Sequence, residues 1–444
     1  MQKYHNVRFA LLVIALLFSL STISITRAQT QDEAFAANQI VVKLLRSADL
    51  SAVATQYALA LPALDQFGSR PIYRLRITDG RNPRSKAEQV AADARVEFAE
   101  PNYIAQAPEA RRGRVRWAIG GDAESFATQW IPQTLRLAEA HAVSRGAGVT
   151  VAILDTGIDP AHPAFAGRLV PGYDFVDLDN DPREVGTFPA DAGYGHGTHV
   201  AGLVALVAPD ARIMPIRVLD REGAGNIWVL AEGLRFALNP DGNPRTNDGA
   251  TVINLSLGTL RRTRLLDRII AEASCDDDDD DDDDNDRCLA TGGAIVIAAA
   301  GNGGDSVPQY PAAEGARGSV AVAASTRRDT LASFSTRGPW VKLSAPGEQV
   351  ISTVPGGAYG TWSGTSMAAP SAAGVAALLR AREPALSAVA VANRLVSTAQ
   401  PICTPAPPRL DAAAVLSLAP RPKNCPGVSI FLPITRRSEK DPVQ

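Results

Sequence analysis

Apolar and polar positions change rhythm along this chain. From Gln129 onward, apolar-rich runs bounded by turn residues alternate with stretches of helical spacing. Residues 149–154, 213–219, 251–255, 294–299 and 319–323 have strand length and apolar character. Residues 199–207, 228–238 and 265–273 carry helical spacing. A longer helical run reaches residue 382, with Ala368, Ala372, Val375, Ala376 and Leu379 on one face. This alternation predicts an α/β fold: a mostly parallel, doubly wound sheet with helices on both faces. Residues 29–107 read differently. Strands at 40–44, 72–77 and 96–104 enclose an amphipathic stretch at 86–94, which predicts a separate small α+β domain. Residues 108–128, Arg-rich and patternless, read as an exposed linker, and residues 400–444 as a Pro-rich tail.

Composition narrows the class. The net charge of −3 conceals an unbroken aspartate run, Asp276 to Asp284, followed by Asp286; removing these ten acids leaves +7. Nine successive like charges repel one another and predict a solvated loop. The basic residues form no block interleaved with aromatics, which excludes nucleic acid as a partner. Residues 1–28 read as a secretion signal. Lys3 and Arg8 precede a short apolar stretch, and Thr26-Arg27-Ala28 fits a cleavage site. That stretch is too short for a membrane span, and no other segment is long and apolar enough to cross one. The expected location is therefore extracellular, where four cysteines can oxidise. Cys275 and Cys288 flank the aspartate run; Cys403 and Cys425 flank a Pro-rich segment. Three pairings are open, and the two local bridges together are the simplest.

Candidate chemistry sits where strands end. Serine attack on a carbonyl needs a base, a carboxylate to orient it, and donors for the oxyanion. Asp155 ends the run Val151-Ala152-Ile153-Leu154 and opens Thr156-Gly157. His196 begins a helix in Gly195-His196-Gly197-Thr198-His199. Asn302 follows a strand in Ala300-Gly301-Asn302-Gly303, and Ser366 opens the long helix in Gly364-Thr365-Ser366-Met367-Ala368-Ala369-Pro370. Ligands on such sheets gather at the carboxyl ends of the strands, so one shared cleft is expected. Taken singly, Asp155 reads as a turn cap, His196 as a satisfied helix-end histidine, and Ser366 as a helix cap. Their coincidence in one chain favours catalysis.

With these motifs in view, residues 129–399 resemble a subtilisin-type serine peptidase, or subtilase; the order Asp, His, Ser is that family's. The resemblance implies a serine endopeptidase working through an acyl-enzyme. Asp155 orients, His196 is base and then acid, and Ser366 is the nucleophile. Asn302 and the Ser366 backbone N–H form the oxyanion hole. It implies a substrate edge at Ser256, Leu257 and Gly258. It also implies a specificity pocket walled by Ala299, Ala300 and Gly301 with Gln309 at its base, suited to apolar or mixed side chains. His199, one turn beyond His196, is assigned a structural role. Residues 29–107, ending near Glu100-Pro101-Asn102-Tyr103, resemble the family's propeptide, an intramolecular inhibitor removed by self-processing. The implied partners are polypeptide substrates, and the implied enzyme is a monomer. No cofactor is required and no metal ligand is assigned. Several subtilases hold calcium on a loop after the catalytic-His helix, together with an acid matched here by Ala164. Val207-Ala208-Pro209 leaves no room for that loop, so this calcium site is expected to be absent, while calcium remains an optional ligand elsewhere. The alternative reading is a catalytically silent protein of the same fold that clamps peptides in its cleft.

Overall fold

A computed structural model describes residues 34–110, 118–243, 246, 248–274, 293–403 and 406–417. The secretion-signal assignment, the aspartate run, Cys275, Cys288 and Cys425 lie outside the described residues. Cys403 is disulfide-bonded.

The amino-terminal layer contains β1 (Phe35–Leu44), α1 (Leu50–Gln56), β2 (Asp65–Gln66), β3 (Ile72–Arg76), α2 (Pro83–Ala91) and β4 (Val96–Gln106). Its strands are antiparallel, in the order β2-β3-β1-β4. Alternation along β1 divides its side chains. Ile40, Val42 and Leu44 pack with Val53 and Val90 of the two helices, while Val41 faces away from them. Helix α2 begins earlier than its apolar spacing suggests. Pro83 opens it, and Asn82 Oδ1 caps it by accepting from Arg84 N at 2.9 Å.

The larger layer follows with β5 (Ala118–Ile119), α3 (Ala123–Thr128), α4 (Trp130–Leu135), α5 (Leu137–His141), β6 (Thr150–Asp155), β7 (Tyr173–Asp174), α6 (His196–Val207), β8 (Arg212–Arg217), β9 (Ala224–Asn226) and α7 (Ile227–Leu238). Then come β10 (Val252–Leu255), α8 (Arg264–Ser274), β11 (Ile295–Ala299), β12 (Ser319–Ser325), β13 (Val341–Pro346), β14 (Val350–Val354), β15 (Ala358–Trp362), α9 (Thr365–Arg382), α10 (Ala388–Ser397) and α11 (Ala412–Val415). Seven strands form one parallel sheet, ordered β13-β12-β11-β10-β6-β8-β7. The near-continuous apolar strands have the physical reason foreseen in the sequence: both faces are covered. Val151, Ile153, Val252, Ile295 and Ile297 face α6 and α9. Ala152, Leu154, Ile253, Leu255 and Val296 face α7 and α8.

Helices α6 and α9 are apolar almost all round because both are buried. They cross closely: a Cβ on Gly374 would lie 2.6 Å from Val207 Cβ. Ser352 and Thr353 of β14 donate to the His199 and Thr198 carbonyls, each at 2.7 Å, pinning α6 from its other side.

Two expectations need correction. The stretch 108–128 is not a featureless exposed linker, since Glu109 is buried and α3 forms behind a capping box between Asp122 and Ser125. Residues 400–417 are likewise no tail. Arg409 bridges to Ser344, and Leu410, Ala412 and Val415 join the core. Both segments are too short for periodicity to register; capping and tertiary pairing order them.

Candidate active site

Asp155 ends β6, Ser256 follows β10, and Asn302 follows β11, so three strand ends converge. The first turns of α6 and α9 bring His196 and Ser366 to the same place. His196 Nδ1 lies 2.6 Å from Asp155 Oδ1, and Thr156 N donates to that oxygen at 2.8 Å. All three members of the predicted triad are buried.

The local chemistry of α9 explains how Ser366 is held. Pro370 sits inside the helix and has no N–H to give the carbonyl four residues back. That carbonyl belongs to Ser366, and Ser256 Oγ donates to it at 3.0 Å instead. Ser256 is therefore tied to the backbone of Ser366. Asn302 is oriented just as tightly. Its Oδ1 accepts from Thr365 N at 2.9 Å and Thr365 Oγ1 at 3.0 Å. Its amide Nδ2 consequently points away from Thr365, toward the space in front of Ser366. Thr365 Oγ1 also accepts from Gly301 N at 3.0 Å, locking the strand end to the helix start.

A fifth residue completes the cluster. Glu109, buried, places Oε2 at 2.7 Å from Ser366 Oγ, which donates to it, and 3.1 Å from His196 Nε2. Its Oε1 accepts from Asn302 Nδ2 at 2.8 Å. The carboxylate thus lies in a cradle that only glycine at 364 leaves open: a Cβ there would come within 1.8 Å of Glu109 Oε1. Burial disfavours the charge on Glu109, but His196, Ser366 and Asn302 outweigh it and hold its carboxyl below the usual range. Burial likewise disfavours an imidazolium, yet Asp155 and then Glu109 push His196 up to about 10. His199 is different. Burial and the nearby His196 push it down to about 3, against the Gly360 and Val350 carbonyls, and its Nε2 lies 3.2 Å from the Gly360 carbonyl.

Glu109 arrives on the end of β4. That strand pairs antiparallel with β9, Ile104 opposite Asn226 and Gln106 opposite Ala224. On its other side Gln106 and Gly258 exchange N–H···O bonds, both 2.9 Å. The amino-terminal layer therefore lies in the cleft as an added strand. A turn then closes, with Ala110 N donating to Ala107 O at 3.0 Å, and swings the Glu109 side chain onto Ser366.

The other sequence-assigned residues fall around this point. Gly258 forms the edge just described, and the buried Leu257 packs among the side chains on the α7/α8 face. Ala299 and Ala300 are buried. The buried Gln309 side chain packs against Gly301, where a Cβ would meet its Nε2 at 2.1 Å. Sequence reasoning missed Glu109 and Thr365. Nothing local marks Glu109, whose partners lie 87 to 257 positions away. Thr365 stood inside the serine motif but carried no signal of its own, because its partners Asn302 and Gly301 lie 63 and 64 positions away.

A serine, a carboxylate-held imidazole and an amide donor meet around one carboxylate, the arrangement of a serine hydrolase with its cleft filled by its own chain. The chain belongs to the subtilase family, whose model matches residues 146–420. Residues 22–102 match the fervidolysin N-terminal prodomain. Among relatives, a thermophilic serine proteinase of Bacillus sp. (strain AK1) is 35% identical over 295 residues, which is 64% of this chain and 63% of that protein. Thermitase of Thermoactinomyces vulgaris is 36% identical over 56% of this chain and 81% of its own length. Among solved structures, a protease of Pseudoalteromonas arctica aligns at a TM-score of 0.56 and 29% identity, over 68% of this chain and 99% of that one. Fervidolysin from Fervidobacterium pennivorans aligns at 0.65 over 87% of this chain and 62% of its own. At 22% identity that last likeness concerns the fold alone.

Proposed function

We propose that this protein is a secreted serine endopeptidase made as a zymogen that processes itself. Ser366 Oγ attacks the scissile carbonyl while His196 Nε2 takes its proton. Asp155, on Nδ1, holds the ring and offsets the imidazolium charge. The tetrahedral oxyanion is met by Asn302 Nδ2 and the Ser366 N–H. The imidazolium then protonates the leaving amine, and water repeats the sequence on the acyl-enzyme. Small walls at Ala299, Ala300 and Gly301 with an uncharged amide at Gln309 favour an apolar or mixed side chain at the cleaved residue. The residue 1–28 pattern and a disulfide-bonded Cys403 favour an oxidising destination.

One observation carries this reading. A single carboxylate touches Ser366, His196 and Asn302 at once, which is where a carbonyl turning into an oxyanion would have to lie. The same observation supports latency, because no substrate can enter until Glu109 leaves. Expression of the full chain beside Ser366→Ala tests both parts. The wild type should lose its amino-terminal layer, show a new N-terminus after the β4 segment, and react with a fluorophosphonate; Ser366→Ala should do none of these. An intact, unlabelled wild type would leave the silent peptide clamp as the better reading.

A further inference from the structure

A third carboxylate stands behind the triad, and the reaction scheme does not use it. Glu184 lies on the loop between β7 and α6, half-buried, with its carboxylate turned inward. Its Oε2 accepts from Gly195 N at 3.0 Å, and its Oε1 from Thr198 N at 3.0 Å and Thr198 Oγ1 at 3.2 Å. Thr156 Oγ1 donates to it at 3.1 and 3.2 Å. Both threonines pass the connection on. Thr156 Oγ1 accepts from Gly197 N at 2.9 Å, and Thr198 Oγ1 accepts from Asp159 N at 2.9 Å. Residues 195, 197 and 198 are thereby tied on either side of His196, and the ties run to Thr156, next to Asp155. The loop itself is fixed to the same strand end, since Ile158 N donates to Pro182 O and Glu184 N to Ile158 O, each at 3.0 Å.

The packing leaves no slack. A Cβ on Gly197 would sit 2.1 Å from the Gly157 carbonyl and 3.1 Å from Asp155 Cβ. Gly157 takes φ +115, and a Cβ there would meet the Arg183 backbone at 2.8 Å. Two chain segments 41 positions apart are thus in contact at backbone distance, and Glu184 supplies the acceptors for the donors they turn toward the loop. Those four donors would otherwise be orphaned: the N–H of Gly195, the N-cap of α6, that of Thr198 in its first turn, and the hydroxyls of Thr198 and Thr156.

We propose that Glu184 is a positioning residue, which sets the separation of the Asp155 carboxylate and the His196 imidazole by clamping the first turn of α6 to the end of β6. This rests on the serine-peptidase reading but assigns a role that the reading does not contain. An amide cannot replace the carboxylate, because one arm of Gln would present N–H to backbone N–H.

The test compares wild type, Glu184→Gln and Thr156→Val in the full chain. Active sites are titrated with a fluorophosphonate, so that kcat is expressed per competent site, and thermal unfolding is followed in parallel. Glu184→Gln should lower kcat by about 10- to 100-fold with KM within about twofold, as a small misplacement of the base does. Thr156→Val, which removes one donor to Glu184 and the acceptor of Gly197 N while leaving the carboxylate in place, should give the same split with a smaller loss. It also keeps the idea testable should Glu184→Gln fail to mature. An unchanged kcat per titrated site in either folded variant, or a loss shared with KM, overturns the proposal. A wild type that does not titrate at all would sink the peptidase reading instead.

Discussion

At the scale of single residues, the site is held by groups that fix one another's protonation and direction. Asn302 is aimed by Thr365, so its amide is a preorganised donor rather than a mobile one. Asn302→Ala should lower kcat by about 100- to 1,000-fold with little change in KM, a magnitude taken over from a subtilisin; steady-state kinetics on a peptide substrate would read it, and an undiminished kcat would remove Asn302 from the oxyanion hole. Met367 is fully buried beside Ser366. Peroxide reaching its sulfur would add a polar oxygen in a packed site, so activity should fall, and Met367→Ala should resist. Equal inactivation of both proteins would count against it. Glu109 is the acid that fills the site, against Ser366, His196 and Asn302. Its carboxyl is held low, so its share of the contact is present above about 4.5 and fades as pH falls below that. The His196 share is complete below about 6.5 and is lost as pH rises through about 10. Glu109→Ala should therefore shorten the time to self-cleavage several-fold near neutrality. Pulse-chase of the zymogen would show it, and an unaltered half-time would mean that the strand, not the carboxylate, sets the delay. Asp155, His196, Ser366 and Asn302 were legible in the chain because each sits in a short motif of its own. Glu109, Thr365 and Glu184 were not, because their roles come from partners rather than neighbours.

At the scale of elements, the amino-terminal layer finishes helices that belong to the larger layer. Glu100 accepts from Arg264 N at 2.8 Å and Leu265 N at 3.1 Å, capping α8, and Asn102 Oδ1 accepts from Trp228 N at 3.2 Å in the first turn of α7. The Glu-Pro-Asn-Tyr segment was picked out by resemblance, but its work as a pair of caps needed the docked structure. Burial pushes Glu100 up to about 7, against the pull of the two N–H donors. A docked acid with a raised pKa binds a proton on docking. Its contribution is complete below about 4.5 and is lost as pH rises through about 7. The clipped layer should be retained less as pH climbs over that range, by roughly ten- to a hundredfold in affinity, and Glu100→Gln should flatten the dependence. Co-elution on size exclusion across pH would measure both, and a flat wild-type profile would refute the argument.

At the scale of the whole molecule, the parallel sheet joins strands far apart in sequence, and such pairing is slow to form. The amino-terminal sheet lays Val41, Phe67, Ile72 and Phe98 on the α7 and α8 face, with the Phe67 and Trp228 rings 5.9 Å apart edge to face. It gives those two helices both a floor and caps. A chain beginning at residue 118 should therefore refold to a state with native-like helix content but little fluorophosphonate labelling, and labelling should recover when residues 34–110 are supplied separately. Full labelling of the shortened chain without help would show that the larger layer completes itself.

The sequence alone determined the alternation of buried strands and helices, and hence a parallel sheet covered on both faces. It also determined the motifs that end β6 and β11 and open α6 and α9. These are local facts, written in spacing and in the chemistry of turns. Tertiary structure alone decided the order of the seven strands and the docking of β4 as a strand in its own cleft. It decided too that Glu109 and Glu184 bracket the triad, one in front and one behind. A carboxylate has no fixed role until the fold chooses which donors surround it, and those donors are contributed by distant parts of the chain.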